Sequence, residues 1–201
     1  MPYPDAPWPM HGQLWLSLFR VRAGDHPDRP AGVYGAALVA YEAPSPLTYS
    51  ELLVARPVNG PVNGKANITD IWVDSADSRD GGRELWAIPK DLGAFEHETT
   101  GGKLQRTSWS ASLDGRPIAT ARFTDISRAT FRTPFRGGTR QQFPVGHARA
   151  GAEVVAPLSG SARALPCRGS WDFDEQGPLA WLAGKRPLMS LRMADFAMSF
   201  G

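Results

Sequence analysis

Glycine and proline punctuate this chain so closely that long helices have almost nowhere to form. The 21 glycines and 18 prolines fall at short intervals through 201 residues. Proline lacks a backbone donor and glycine loses the most entropy on ordering, so windows of helical length are few, while runs of strand length recur between turn signals. A mostly β, strand-dominated α+β fold is the expectation. Gln13–Val21 sets Leu14, Leu16 and Leu18 against Trp15, Ser17 and Phe19, which gives a strand two usable faces and predicts burial on both. Further strands are predicted over Val33–Tyr41, Thr48–Arg56, Ala66–Val73, Gln105–Leu113 and Pro117–Asp125, with Asn59-Gly60-Pro61 and Asp114-Gly115-Arg116 as hairpin turns. Helix is predicted only over Ser75–Leu85, capped by Ser75 and weakened at its end by Gly81-Gly82, and over Pro178–Ala183. Gly24–Gly32 reads as a surface loop whose composition also suits a lid.

Composition narrows the function classes. At 42% hydrophobic and 21% charged, the chain suits one domain spanning residues 1–201. Its 22 basic and 20 acidic residues are dispersed, so no basic face is expected and nucleic acid is not an expected partner. The start, Met-Pro-Tyr-Pro-Asp-Ala-Pro-Trp-Pro, lacks the basic and apolar regions of a signal peptide, and no apolar run has the length of a membrane span. A soluble cytoplasmic protein without a membrane partner is expected. Cys167 is alone, which leaves no intrachain disulfide and suggests a packing role. His11, His26, His97 and His147 show no metal-ligand spacing, so no metal site is assigned, although His11 lies near the pocket positions considered below. No phosphate-cradling glycine loop, dinucleotide fingerprint or nucleophile elbow occurs. Trp15, Trp72, Trp109, Trp171 and Trp181 are expected in the core or at subunit contacts, and Trp86 beside a pocket.

One lysine stands apart. Only Lys65, Lys90, Lys103 and Lys185 occur against eighteen arginines, so a lysine kept against that preference is a candidate for a lysine-specific task. Lys65, Lys103 and Lys185 adjoin glycines and read as surface charges; Lys90, ending Gly-Arg-Glu-Leu-Trp-Ala-Ile-Pro-Lys, has apolar flanks. Pro89 stiffens the backbone before it and biases Ile88 toward extended geometry. Trp86, Ile88, Leu92 and Phe95 can supply an apolar wall, and burial there would lower the lysine pKa and free an amine able to attack a carbonyl. The competing reading is an exposed lysine paired with Asp91 or Glu96, and composition alone favours it. Glu51 lies in an otherwise apolar strand, where it must face solvent, find a partner or serve the chemistry.

The segment Gly82-Arg83-Glu84-Leu85, two variable residues, Ile88, Pro89 and Lys90 resembles the catalytic signature of acetoacetate decarboxylases. Tyr49-Ser50-Glu51 resembles the family's Tyr-x-Glu, and Ser190-Leu191-Arg192-Met193-Ala194-Asp195 resembles its closing strand. The resemblance implies a twisted antiparallel sheet curled into a cone-shaped barrel with a few short helices, Lys90 as the Schiff-base lysine and Glu51 as the active-site glutamate. Lysine activation in this family is itself a standard example of the general principle. Three positions depart from the pattern. Asp91 replaces a second lysine and should point away on an extended backbone. Gln13 stands where the family arginine meets a substrate carboxylate, and Ala36-Ala37 where a further glutamate would sit.

The resemblance therefore implies a lyase acting on a small or medium keto compound, most simply decarboxylating a β-keto acid through an iminium on Lys90. Glu51 would position substrate and move protons, and Gln13, Trp86 and Ile88 would contact it. No cofactor is required by that chemistry, and a homo-oligomer is implied. Arg83 and Glu84 are expected to hold the turn before Lys90. Aldol cleavage, dehydration or cyclisation through the same iminium, and a non-catalytic binding module for an apolar carbonyl compound, are the alternatives.

Overall fold

Side chains alternate along four long neighbouring strands, and both faces of those strands are covered. They are β1 (Trp8–Val21), β2 (Gly32–Glu42), β3 (Tyr49–Pro57) and β4 (Lys65–Val73), seen in a computed structural model that describes residues 3–58, 64–102, 104–128 and 130–201. After β4 come α1 (Ala76–Trp86), the short β5 (Asp91–Leu92), and a meander of β6 (Ala94–Thr100), β7 (Arg106–Leu113) and β8 (Arg116–Asp125). The chain ends with β9 (Arg132–Gln142), β10 (Glu153–Phe173) and β11 (Met189–Phe200). The order β11-β1-β2-β3-β4-β9-β10 closes on itself through β10–β11 pairing, which makes a ring; β8, β7 and β6 continue outward from the far end of β10. Ring neighbours are antiparallel except β4 and β9, which share two parallel register pairs, Lys65 with Gly138 and Ala66 with Thr139.

Closure splits the hydrophobic residues into two cores. Odd positions of β3, with Val39 on β2 and Trp8 and Met10 on β1, face the interior of the ring. The opposite faces, with Trp15, Phe19, Leu38, Leu52 and Val54, pack against Trp109, Ile118 and Phe123 of the meander and Leu179, Trp181 and Leu182. The double-sided burial expected of β1 is thus extended to β2 and β3, because each of their faces has a core of its own. Trp15, Trp72, Trp109 and Trp181 are buried in the outer core, with Trp171 packed against it.

All six strands expected from the sequence are present, and the Asp114-Gly115 turn joins β7 to β8 with positive φ at both residues, as a tight hairpin requires. Asn59-Gly60-Pro61 and Lys103 lie outside the described residues. The helix over α1 is present with Ser75 accepting from the Ser78 N–H at 3.2 Å; the expected Pro178–Ala183 helix is a single 3-10 turn, Ala180–Leu182. β5, β6, β9 and β10 lie outside the strands expected from the sequence. In β10 the supposed breakers Pro157, Gly160, Pro166 and Gly169 sit inside one strand. Gly160 is there because a Cβ would collide with the Ala197 carbonyl across the β10–β11 pair, so glycine marks close backbone approach and not a turn. No helix among the described residues is long and apolar enough to cross a membrane.

The Gly24–Gly32 loop is tied to the outer core rather than to the ring interior. Arg29 pairs with Asp70 at 2.6 Å and lies over the Trp181 ring, and the Tyr34 hydroxyl donates to the Pro30 carbonyl. It does not cover the lysine.

Candidate active site

Three elements bring the site together. On β3, the two-residue period puts Tyr49, Glu51, Leu53 and Ala55 on the inner face. From α1 comes Ser78, and from the turn after α1 come Ile88 and Lys90. That turn is tightly specified. Ala87 takes a left-handed conformation, φ 55°, and its N–H reaches the Arg83 and Gly82 carbonyls, while the Ile88 N–H donates to the Gly82 carbonyl at 3.1 Å. The Lys90 N–H donates to the Ile88 carbonyl at 2.8 Å. Arg83 then clamps the exit, donating to the Lys90 carbonyl at 2.5 Å and to the Asp91 carboxylate at 2.9 Å, and β5 pairs Asp91 with Trp72. Glu84 meets His147 at 3.0 Å and also Arg149, which fastens the helix end to the β9–β10 loop. Arg83 and Glu84 are structural, as expected.

The glycine pair has a different task from the one read in the sequence. Gly81 and Gly82 lie within α1 and do not end it. A Cβ on Gly82 would stand 2.8 Å from Lys90 Cδ, and one on Gly81 2.7 Å from the Trp8 ring. The bare helix face is the channel through which the lysine side chain passes.

Lys90 is 4% exposed and Glu51 2%. The ammonium nitrogen stands 2.9 Å from Glu51 Oε2, 2.9 Å from Ser78 Oγ and 3.3 Å from the Tyr49 hydroxyl. Three donors thus meet three acceptors, which satisfies a protonated amine. Tyr41 donates to the other Glu51 oxygen at 3.2 Å. Burial pushes the Lys90 pKa down, but the Glu51 carboxylate and Tyr49 push it up by more, and the balance lies above the ordinary lysine value. This corrects the expectation of a lowered pKa: the apolar wall is present, but the paired carboxylate outweighs it. Burial also pushes the Tyr49 phenol up, and holds that of Tyr41, beside Glu51, well above the ordinary value.

The amine opens on a cavity of about 210 Å³. Trp86 and Ile88 line it as expected, Trp86 wedged edge-on between Trp8 and Phe200 at centroid separations of 4.8 and 4.7 Å. Gln13 does not line it. The preceding Trp8, Met10 and Gly12 parity of β1 faces inward, so Gln13 points outward, accepting from Arg192 and donating to Asp195, both at 3.2 Å. Contrary to expectation, Gln13 is not placed to contact a molecule in the cavity. Leu92 is 40% exposed and Phe95 packs on the outer core, so neither forms the expected wall. Asp91 faces away, as expected, and is paired with Arg83. Ala36 belongs to the outer core, and β2 presents Val39 and Tyr41 to the cavity instead. His11 is not among the lining residues either. Sequence reasoning did not assign roles to Ser78, Tyr41 or Tyr49. The i, i+4 spacing of Ser78 and Gly82 on one helix face, and the shared parity of Tyr49 with Glu51, were the available signals.

Among the described residues, Lys90 is the one cation and Glu51 the one acid lining the cavity. No group of three His, Cys, Asp or Glu side chains among them is placed to hold a metal ion. Cys167 is buried on the outer core, which pushes its thiol up to about 12.

A family model described as acetoacetate decarboxylase matches residues 26–140, which contain β2, β3, α1, Glu51 and Lys90. The chain belongs to the acetoacetate decarboxylase family. Solved structures of similar fold cover nearly all of it. The enduracididine biosynthesis enzyme MppR, complexed with pyruvate, is 17% identical with a TM-score of 0.71, over 98% of this chain and 89% of that one. The acetoacetate decarboxylase of Legionella pneumophila is 14% identical with a TM-score of 0.66, over 100% and 86%. An acetoacetate decarboxylase-like enzyme of Sphingomonas wittichii is 13% identical with a TM-score of 0.66, over 99% and 91%. No curated protein matches the sequence significantly. The ring-closed sheet is the acetoacetate decarboxylase-like fold, and the chain is a member of an enzyme family whose fold neighbours include more than one kind of enzyme.

Proposed function

We propose that the protein is a Schiff-base-forming lyase that decarboxylates a β-keto acid through an iminium on Lys90. The observation that carries this reading is the buried Lys90 nitrogen, 2.9 Å from Glu51 at the head of an apolar cavity. In the resting ion pair the amine is protonated, so the first step is a proton shift from Lys90 to the adjacent Glu51 carboxylate. The neutral amine then attacks the substrate ketone. Glu51, now an acid, returns its proton to the carbinolamine oxygen, water leaves, and the iminium forms. The bond between the α-carbon and the carboxylate breaks, carbon dioxide departs, and the bonding pair moves into the iminium to give an enamine. A proton from water, relayed along Tyr41 and Glu51, adds to the α-carbon; hydrolysis then releases the ketone and the free lysine. Surroundings this apolar favour neutral carbon dioxide over the buried carboxylate.

A second reading is favoured by one observation: no described arginine lines the cavity, and Gln13 is turned away from it. A carbonyl substrate without a carboxylate would then undergo aldol cleavage, dehydration or cyclisation through the same iminium. Borohydride reduction in the presence of candidate ketones tests the shared step. A stable mass adduct mapping to Lys90 is expected, and its absence with every ketone and β-keto acid tried would refute covalent chemistry. Carbon dioxide release from β-keto acids separates the two reactions.

A further inference from the structure

Among the described residues, the polar side chains lining the cavity are gathered at Lys90, apart from Thr139. At the head, Tyr49, Glu51 and Lys90 are buried with Trp8, Met10, Val39, Trp86 and Ile88. Of the other lining residues, Leu14, Leu53, Ala55, Ala66, Leu158 and Met198 are apolar. The inner face of β3 changes from polar to apolar residues, as Tyr49, Glu51, Leu53, Ala55. Four residues of strand separate Glu51 from Ala55, a distance of about 13 Å. Where the slot passes between β3, β4 and β9, the lining residues are the small Ala55, Ala66 and Gly138. Among the described residues, the Thr139 hydroxyl is the one polar side-chain atom of this part of the lining, and it is buried with no hydrogen-bond partner.

We infer that the substrate is a keto compound with a hydrocarbon tail, whose carbonyl lies at Lys90 and whose tail runs along Leu53 and Ala55 toward Ala66 and Gly138. This deepens the proposed function and rests on it for the position of the carbonyl. A charged or polar tail would lose its water there with only the Thr139 hydroxyl to bond in return, whereas each methylene leaves water for an apolar wall. The 13 Å span accommodates a chain of roughly eight to ten carbons. Alanine at 55 and 66 leaves open the width that larger residues would fill, while glycine at 138 is required by the Ala156 carbonyl, 2.6 Å from where a Cβ would stand.

Equilibrium binding of a 2-alkanone series, followed through quenching of the Trp8 and Trp86 emission, tests this without requiring turnover. Affinity is expected to rise by about fourfold per methylene and to level off near ten carbons. Ala55→Phe and, independently, Ala66→Leu are expected to bring the plateau to shorter chains. Thr139→Val, which removes the hydroxyl at constant shape, should leave the slope unchanged. Affinity independent of chain length, a plateau unmoved in both alanine variants, or a Thr139→Val variant that loses the long-chain gain would each overturn the inference. Failure of borohydride trapping on Lys90 with the binding series intact would instead refute the covalent reading and leave the tail slot standing.

Discussion

Lys90 keeps its proton because three acceptors surround it, so the chemistry is controlled by whatever removes that proton. A lysine whose folded pKa is raised contributes stability that is fully present below the ordinary value of about 10.4 and is lost as pH rises through the folded one. Thermal unfolding followed across alkaline pH should therefore show a falling Tm above that value, and Glu51→Gln should blunt the fall. In the same variant burial is left with less opposition, so the amine titrates lower. The pH profile of borohydride trapping should shift to the acid side while turnover drops by roughly 10²–10⁴-fold for want of a proton carrier. A profile that stays in place would show that Glu51 does not set the amine. Gly82→Ala probes the lysine from its other side. The added Cβ, 2.8 Å from Lys90 Cδ, must displace the side chain, and a shift near 1 Å costs about 100-fold in rate. Trapping should fall by that order with the circular dichroism spectrum unchanged.

At the scale of elements, the turn after α1 is a mounting whose bonds can be removed singly. Arg83→Ala deletes the donor to the Lys90 carbonyl and should lower stability by about 1 kcal/mol, since the guanidinium is half exposed. Trapping should slow by more than that loss predicts, because the lysine backbone loses its clamp. Denaturant titration beside the trapping rate checks both. Much of this element was legible in advance: the Ser75 cap, the stiff Ile88-Pro89 step, and Arg83 holding the turn are local effects of chain chemistry. The hydrogen-bond set around the amine was less so. Tyr49 and Ser78 reach the amine from a strand and a helix, Tyr41 reaches its Glu51 partner from a second strand, and only the tertiary fold brings them together. Gln13 lies off the pocket for a related reason, since a position aligned to a pocket residue says nothing about which face of β1 it occupies, and the inward parity of Trp8, Met10 and Leu14 turns it outward. β9 and β10 were missed because arginine, glycine and proline mask strands whose stability comes from pairing in the ring.

For the whole molecule, the ring is least secured where β4 meets β9. Two register pairs join them, whereas β1 and β2 share eleven. The Gly138 amide, which donates to the Gly64 carbonyl at 3.0 Å, should exchange with solvent faster than amides in the middle of β1 or β2, and hydrogen exchange by mass spectrometry would locate the difference. Uniform protection around the ring would contradict this. The other global feature is that β1 to β3 serve as a partition between two separately packed interiors. The side chains that hold the molecule together through Trp15, Leu52 and Phe123 are not the ones that meet the ligand. Changes to the ligand-facing surface can therefore accumulate while the other interior goes on anchoring the same strands, which lets one scaffold trade reactions without unfolding on the way.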